Sequence, residues 1–260
     1  MSRLAQIFEG KREEVETAKS QISLADLKAM ARDAEPTRGF RGALSHANKP
    51  VALIAEVKKA SPSQGLIREN FDAAEIARIY EDAGAHALSV LTDAPHFQGS
   101  AENLVRARES TKLPVLRKDF IYDPYQVYEA RAWGADAILL IVAALESSEI
   151  MHLKGLATEL GMDSLVEVHN EAEAQVAMKA NSYLTGVNNR DLATFKTDLA
   201  VSDRILPMIE KPAISVSESA IETREDIDRV HRSGARAVLI GTAFCKAPNI
   251  GAKVREVMGW

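Results

Sequence analysis

Gly84-Ala85-His86-Ala87-Leu88 decides the architecture, because it returns as Gly134-Ala135-Asp136-Ala137-Ile138 and again as Gly234-Ala235-Arg236-Ala237-Val238. The copies stand 50 and 100 residues apart. In each, Gly ends a helical pattern, where the left-handed position after a helix favours it, and an apolar strand follows. With about 25 residues to one strand–helix unit, these offsets equal about two and four units of an eightfold repeat.

The remaining strands fall into the gaps. Apolar or β-branched runs occur at 51–57, 87–91, 114–116, 137–142, 164–168, 184–187, 213–216 and 237–240. Amphipathic stretches separate them: Ile76, Ile79, Tyr80 and Ala83 follow the i, i+3, i+4, i+7 spacing of a core-facing helix. Thr223-x-x-Asp226 reads as a capping box, with Ile227 and Val230 as its buried face. Near-continuous apolar strands alternating with helices indicate a parallel sheet covered by helices, an α/β (βα)8 TIM barrel. A doubly wound open sheet would carry a Gly-rich turn after its first strand, and none stands there. Residues 1–49 precede the first strand as an N-terminal helical extension, and 50–260 form the barrel, the whole being expected as one domain. Ser23-x-x-Asp26 with Leu24, Leu27 and Met30 marks one helix of the extension, ended near Pro36, and 4–15 marks another.

Bulk composition narrows the partners. The chain has 260 residues, 46% hydrophobic and 27% charged, which is ordinary for a globular protein. Its net charge of −5, with no basic block, argues against nucleic acid. No apolar run reaches the roughly 20 residues a bilayer requires, so no membrane association is expected; 135–145 is interrupted by Asp136. A cytoplasmic location fits. Cys245, the one cysteine, excludes an intrachain disulfide and a multi-cysteine metal site, and its neighbours Phe244 and Lys246 suggest a packed thiol rather than a nucleophile.

Charges at the strand ends point to chemistry. Ile54, Glu56 and Lys58 share one parity, so one face. Lys118 lies two positions beyond Leu116, Glu167 two beyond Leu165, and Gly186, Asn188 and Arg190 alternate likewise. All sit at C-terminal strand ends, where barrel active sites are assembled. Lys59 and Arg117, of opposite parity, read as solvated. Two lysines, two carboxylates and an arginine can hold an anionic substrate and move protons without a metal or a cofactor. The six histidines show no spacing of a paired metal site. Ser217-Glu218-Ser219-Ala220 after the seventh strand and Gly241-Thr242 after the eighth are placed as the common phosphate cradle of such barrels, and Ser61 and Ser63 can add a hydroxyl from the opposite rim.

Five segments then carry a resemblance over nearly the whole chain. They are Ile54-Ala55-Glu56-Val57-Lys58-Lys59-Ala60-Ser61-Pro62-Ser63, Leu88-Ser89-Val90-Leu91-Thr92-Asp93 with Phe97-Gln98-Gly99-Ser100, Leu113-Pro114-Val115-Leu116-Arg117-Lys118-Asp119-Phe120, Leu165-Val166-Glu167-Val168-His169, and Gly186-Val187-Asn188-Asn189-Arg190-Asp191-Leu192. In this order they resemble the indole-3-glycerol phosphate synthase family. The resemblance implies a substrate, 1-(o-carboxyphenylamino)-1-deoxyribulose 5-phosphate, and conversion to indole-3-glycerol phosphate, carbon dioxide and water. It implies that Lys118 is the general acid of ring closure, that Lys58 faces the anthranilate carboxylate, and that Glu167 and Glu56 are acid/base carboxylates of later steps. Asn188 and Arg190 would position the ring-bearing half. Phe97 and Phe120 would wall the aromatic ring, and Ser61, Ser219, Ala220, Gly241 and Thr242 would hold phosphate. A monomer, weakly associated at most with other tryptophan-pathway enzymes, is expected.

The chain departs from the family at Ser219-Ala220, where Ser-Gly is usual, and at Pro95-His96. Ala220 is expected at an ordinary negative φ, donating its N–H at the start of a short helix. A neighbouring barrel enzyme such as a phosphoribosyl isomerase would use a carboxylate or thiol pair on opposite rims, whereas Cys245 follows the last strand. An inert phosphate-binding barrel would not need ionisable residues on at least four strands.

Overall fold

The computed structural model describes residues 3–191, 194 and 196–260; Leu192, the last residue of the fifth matching segment, lies outside them. Eight parallel strands close into a barrel: β1 Ala52–Val57, β2 Ala87–Leu91, β3 Val115–Lys118, β4 Ala137–Ile141, β5 Asp163–Val168, β6 Leu184–Asn188, β7 Ile214–Glu218 and β8 Ala237–Ile240. The first pairs with both the second and the last, Ile54 opposite Ala87 and Ala52 opposite Ala237. All eight expected strands are present. Three run beyond their expected ends, to Lys118, Asn188 and Glu218, because the ladder continues through polar residues that periodicity assigns to loops.

Helices α4 Ala73–Asp82, α6 Ala101–Ser110, α7 Pro124–Ala132, α8 Ser147–Glu159, α9 Glu171–Lys179, α10 Ala200–Ile205, α11 Arg224–Arg232 and α13 Ile250–Met258 cover the sheet. Two short ones, α5 Ala94–Phe97 and α12 Thr242–Cys245, lie in loops at the C-terminal end of the barrel. The repeated glycines take φ of 90°, 88° and 112° at Gly84, Gly134 and Gly234, as a left-handed helix stop requires. Thr223 accepts from the Asp226 N–H, and the Asp226 carboxylate accepts from the Thr223 N–H in return, so the expected capping box is formed.

The extension holds three helices: α1 Arg3–Gln21, α2 Leu24–Asp33, capped by Ser23 as expected, and α3 Phe40–Ser45. The third has under two turns and no usable periodicity. It inserts Phe40 and Leu44 into the barrel's interior cluster, beside Ala52, Ala87, Ala137 and Ala237 at the strand starts, and so plugs the N-terminal mouth. The interior above is filled by Ile54, Leu116, Leu139, Leu165, Val216 and Leu239, while a larger apolar shell packs between sheet and helices. Chemistry is thereby confined to the opposite, C-terminal mouth.

Arg117 corrects the expectation of a solvated residue. It is fully buried between β3 and α7, 3.1 Å from Asp119 and 2.8 Å from Glu129, with its guanidinium 4.2 Å from the Trp133 ring centroid. Opposite parity carried it to the other face of the sheet, into the helix layer rather than into water.

Candidate active site

A cavity of about 390 Å³ opens at the C-terminal ends of the strands. Glu56 from β1 and Lys58 just past its end, Lys118 from β3, Glu167 from β5, Asn188 from β6 and Arg190 two residues beyond it, and Phe97, Phe120, Ser219, Ala220, Gly241 and Thr242 from the loops all line it. The expected set is thus brought together, with one exception. Ser61 is buried with its hydroxyl 3.5 Å from Ser63, and it is Ser63 that faces the cavity.

At the floor, the Lys118 ammonium lies 2.8 Å from Glu167 Oε2 and 2.9 Å from Glu218 Oε2. Burial alone would lower its pKa; Glu167 and then Glu218 overcome that and hold it strongly cationic. The two carboxylates diverge. Burial would raise both, but Lys118 and the neighbouring His169 pull Glu167 well below the usual range. Glu218, desolvated and facing two other carboxylates, is pushed up to about 7. Adjacent carboxyls driven apart in this way can divide acid and base work. Lys58 is ion-paired to Glu56 Oε2 across the floor.

Glu218 stands in the sequence only within the 217–220 cradle segment, with no catalytic role given to it there, although Val216 and Glu218 carry the parity that singled out Leu165 and Glu167. Its carboxylate reaches Lys118 because Gly186 on the adjacent strand has no side chain: a Cβ there would collide with Glu218 Oε1. Gly241 plays the same part for Glu56, whose carboxylate occupies the space a Cβ would take.

An apolar wall faces these charges. The rings of Phe97 and Phe120 stand 6.3 Å apart, and Phe8 of α1 packs edge-on to Phe120 at 5.7 Å. His96 completes the packing at 6.5 Å from Phe120. Leu4 and Ile7 extend the wall from the N-terminal helix. The helix is fastened there by Lys11, buried and 3.0 Å from both Asp93 and Asp119, at the ends of β2 and β3.

On the far rim, Asn188 Oδ1 accepts from the Arg190 N–H at 3.0 Å, and Arg190 Nη1 lies 3.4 Å from Ser63 Oγ. Ala220 corrects the expectation of a negative φ: it takes φ of 62°, and Ser219 before it takes 65°. No helix starts at Ala220, since α11 begins only at Arg224. Two left-handed residues in succession fold the chain into a tight turn against Gly241-Thr242-Ala243 at the cavity edge.

A family model described as indole-3-glycerol phosphate synthase matches residues 4–257. The chain belongs to the indole-3-glycerol phosphate synthase family. It is 50% identical over 248 residues to the indole-3-glycerol phosphate synthase of Dehalococcoides mccartyi (strain CBDB1), covering 94% of this chain and 95% of that one. It is 49% identical to the enzyme of Rhodospirillum rubrum over 98% of both chains. Among solved structures it resembles a mutant tryptophan synthase alpha-subunit from Pyrococcus furiosus, with a TM-score of 0.60 and 15% identity over 80% of this chain and 98% of that one. A 3-hexulose-6-phosphate synthase gives 0.62 at 15% identity, over 80% of this chain and 99% of that one; these two likenesses show the barrel alone. As an indole-3-glycerol phosphate synthase the chain is a carboxy-lyase of tryptophan biosynthesis, acting on a phosphate-bearing substrate. Among the described residues no helix is long and apolar enough to cross a membrane.

Proposed function

We propose that Lys118 drives ring closure of the anthranilate-derived ribulose phosphate, with Glu167, Glu218, Lys58 and Glu56 moving the remaining protons. The observation that carries this reading is the Lys118 ammonium held between Glu167 and Glu218 on the floor of the cavity, against an aromatic wall. As the ring carbon attacks the ribulose carbonyl, negative charge grows on its oxygen. A fixed, desolvated ammonium stabilises that charge without reorganising and gives up a proton to the alkoxide. Glu218, protonated up to about pH 7, can restore that proton across 2.9 Å.

Loss of carbon dioxide restores the aromatic ring, and dehydration follows. Glu167, kept ionised, takes the proton from the methylene carbon while Lys58 protonates the departing hydroxyl. Glu56 holds Lys58 in place, and the Lys58 charge also favours the anthranilate carboxylate before it leaves. Phe97 and Phe120 wall the ring on one side, and Asn188 and Arg190 close the polar side. The turn at Ser219-Ala220 and the Gly241-Thr242 loop offer backbone N–H groups to phosphate, with Ser63 rather than Ser61 as the hydroxyl from the opposite rim.

Lys118→Met tests the reading by the appearance of indole fluorescence. The fold should survive, because Glu167 keeps His169 as a partner and Glu218 takes up a proton readily. The expected loss of kcat is about 10²–10⁴-fold or more with an unchanged circular dichroism spectrum. Retention of more than about a tenth of the wild-type rate, roughly 1.4 kcal/mol of barrier, would exclude the role.

A further inference from the structure

His169 follows Glu167 at the same parity, on the exit of β5, and its largely buried ring has a carboxylate oxygen close to each nitrogen. Nδ1 lies 3.1 Å from Glu173 Oε2 on α9, and Nε2 lies 3.2 Å from Glu167 Oε1, an ion-pair distance at which the ring edge is turned too far off line for a hydrogen bond. Glu173 is itself anchored: its Oε2 accepts from the His169 backbone N–H at 2.8 Å and its Oε1 from Asn170 Nδ2 at 2.6 Å. Glu167 therefore has its two oxygens assigned to different cations, Oε1 to His169 and Oε2 to Lys118.

We propose that His169 is a positioning residue for Glu167: an imidazolium held by Glu173 that fixes Glu167 Oε1 and keeps the carboxylate ionised. This rests on the reading of Glu167 as the base of dehydration. The charges facing the ring are Glu167 from β5 and Glu173 from α9. Lys118 of β3 stands beyond Glu167, and Glu218 of β7 beyond Lys118.

Burial by itself would make the ring neutral, but its contacts with Glu167 and Glu173 reverse this and raise its pKa to about 10. A neutral imidazole has one N–H and would leave one of the two carboxylates facing a lone pair, whereas the imidazolium turns positive charge toward both. The consequence for catalysis is geometric as well as electrostatic. With Oε1 fixed, the carboxylate cannot swing onto Lys118 with both oxygens, and Oε2 stays aimed into the cavity.

The test is nitrogen-15 NMR of the ring together with pH profiles of His169→Asn, Glu173→Gln and Glu167→Gln. In the wild-type enzyme both ring nitrogens should remain protonated through pH 8, and in Glu173→Gln the ring should begin to titrate below that. His169→Asn should keep KM within about twofold, lower kcat about tenfold, and move the acidic limb of kcat upward by about one pH unit, the low end of the shift an adjacent opposite charge produces. Glu173→Gln should move the limb in the same direction by less. A ring that titrates near 6.5 in the wild type would overturn the proposal. So would a His169→Asn enzyme of lowered Tm whose pH profile overlays the wild type, because that is what a merely structural residue gives. Wild-type turnover in Glu167→Gln would instead sink the role given to Glu167, whatever the ring does; a dead Glu167→Gln beside an unaltered His169→Asn would sink only the present inference.

Discussion

Replacing Lys11 by Met should detach the N-terminal helix from the barrel at a calculable cost. The ammonium is buried 3.0 Å from each of Asp93 and Asp119. Met keeps most of the aliphatic packing and removes the charge. Asp119 retains Arg117 and the Thr92 hydroxyl, but Asp93 uses its Oδ1 to cap α5 and is left with an uncompensated Oδ2. Breaking one side of a buried pair typically costs about 3–5 kcal/mol. Proton uptake caps the penalty: for a carboxyl with a pKa of about 3.9, neutralisation at pH 7.5 takes about 5 kcal/mol, and at pH 5.5 about 2 kcal/mol. The deficit should therefore shrink as pH falls, because the stranded carboxylate is the species that is costly. At roughly 2–4 °C per kcal/mol for a chain near this size, Tm at pH 7.5 drops by roughly 6–20 °C. If α1 lifts off before the barrel melts, the same energy appears as faster protease cleavage before residue 22. Thermal melts at both pH values, with timed proteolysis, decide the matter. Adding Asp93→Asn, which still caps α5, should restore at least half of the loss. A Lys11→Met protein within about 2 °C of wild type and equally protease-resistant would refute the argument.

Ala220→Gly should leave KM within about threefold and Tm unchanged or slightly higher, since relief of a left-handed alanine, about 1–2 kcal/mol, is partly offset by glycine's freer unfolded chain; Ala220→Val should lower Tm and raise KM, and a harmless Val would contradict the φ of 62°. Glu218→Gln should lower kcat and abolish the fall in activity above about pH 7 that a carboxyl with that pKa imposes on the wild type; a profile still breaking near pH 7 would assign that limb elsewhere. Deleting residues 1–22 should raise KM about tenfold, roughly the 1.4 kcal/mol carried by the apolar wall of Leu4 and Ile7, with kcat less affected; deletion through residue 46 should also destabilise the barrel, because it removes the Phe40 and Leu44 plug, and a truncated chain melting with the wild type would count against that plug.

Much of this molecule is written locally. The glycine repeats, the strand runs and the caps at Ser23 and Thr223 are short-range signals, and each is realised where the pattern places it. Parity likewise delivered Glu56, Lys58, Lys118 and Glu167 to one mouth, because side chains in a strand alternate without exception unless a bulge intervenes. What escaped depends on distant partners. Arg117 looks solvated until Glu129 and Trp133 are brought onto it. Glu218 gains its place only through the absent side chain of Gly186 on the neighbouring strand. The left-handed turn at Ser219-Ala220 sets a steric preference against a tertiary demand, and Ala, unlike Gly, gives no hint that the demand exists. The six-residue helix at Phe40 has no period to detect and is held by what it plugs.

The pairing of β1 with β8 has a consequence for how the chain is made. Ala52 cannot find its partner Ala237 until synthesis has passed residue 237, 185 residues later. Until then every growing intermediate is an open sheet with two unsatisfied edges, one of them the apolar first strand. Such edges are templates for pairing with other chains, and a nascent barrel presents them until its eighth strand is made. Early docking of α1 onto the ends of β2 and β3 requires the chain only through Phe120, and it would shield that ring and the young mouth while the remaining five strands emerge. Seen from the ribosome, the helix that roofs the finished site is also the first available cover for an unfinished one.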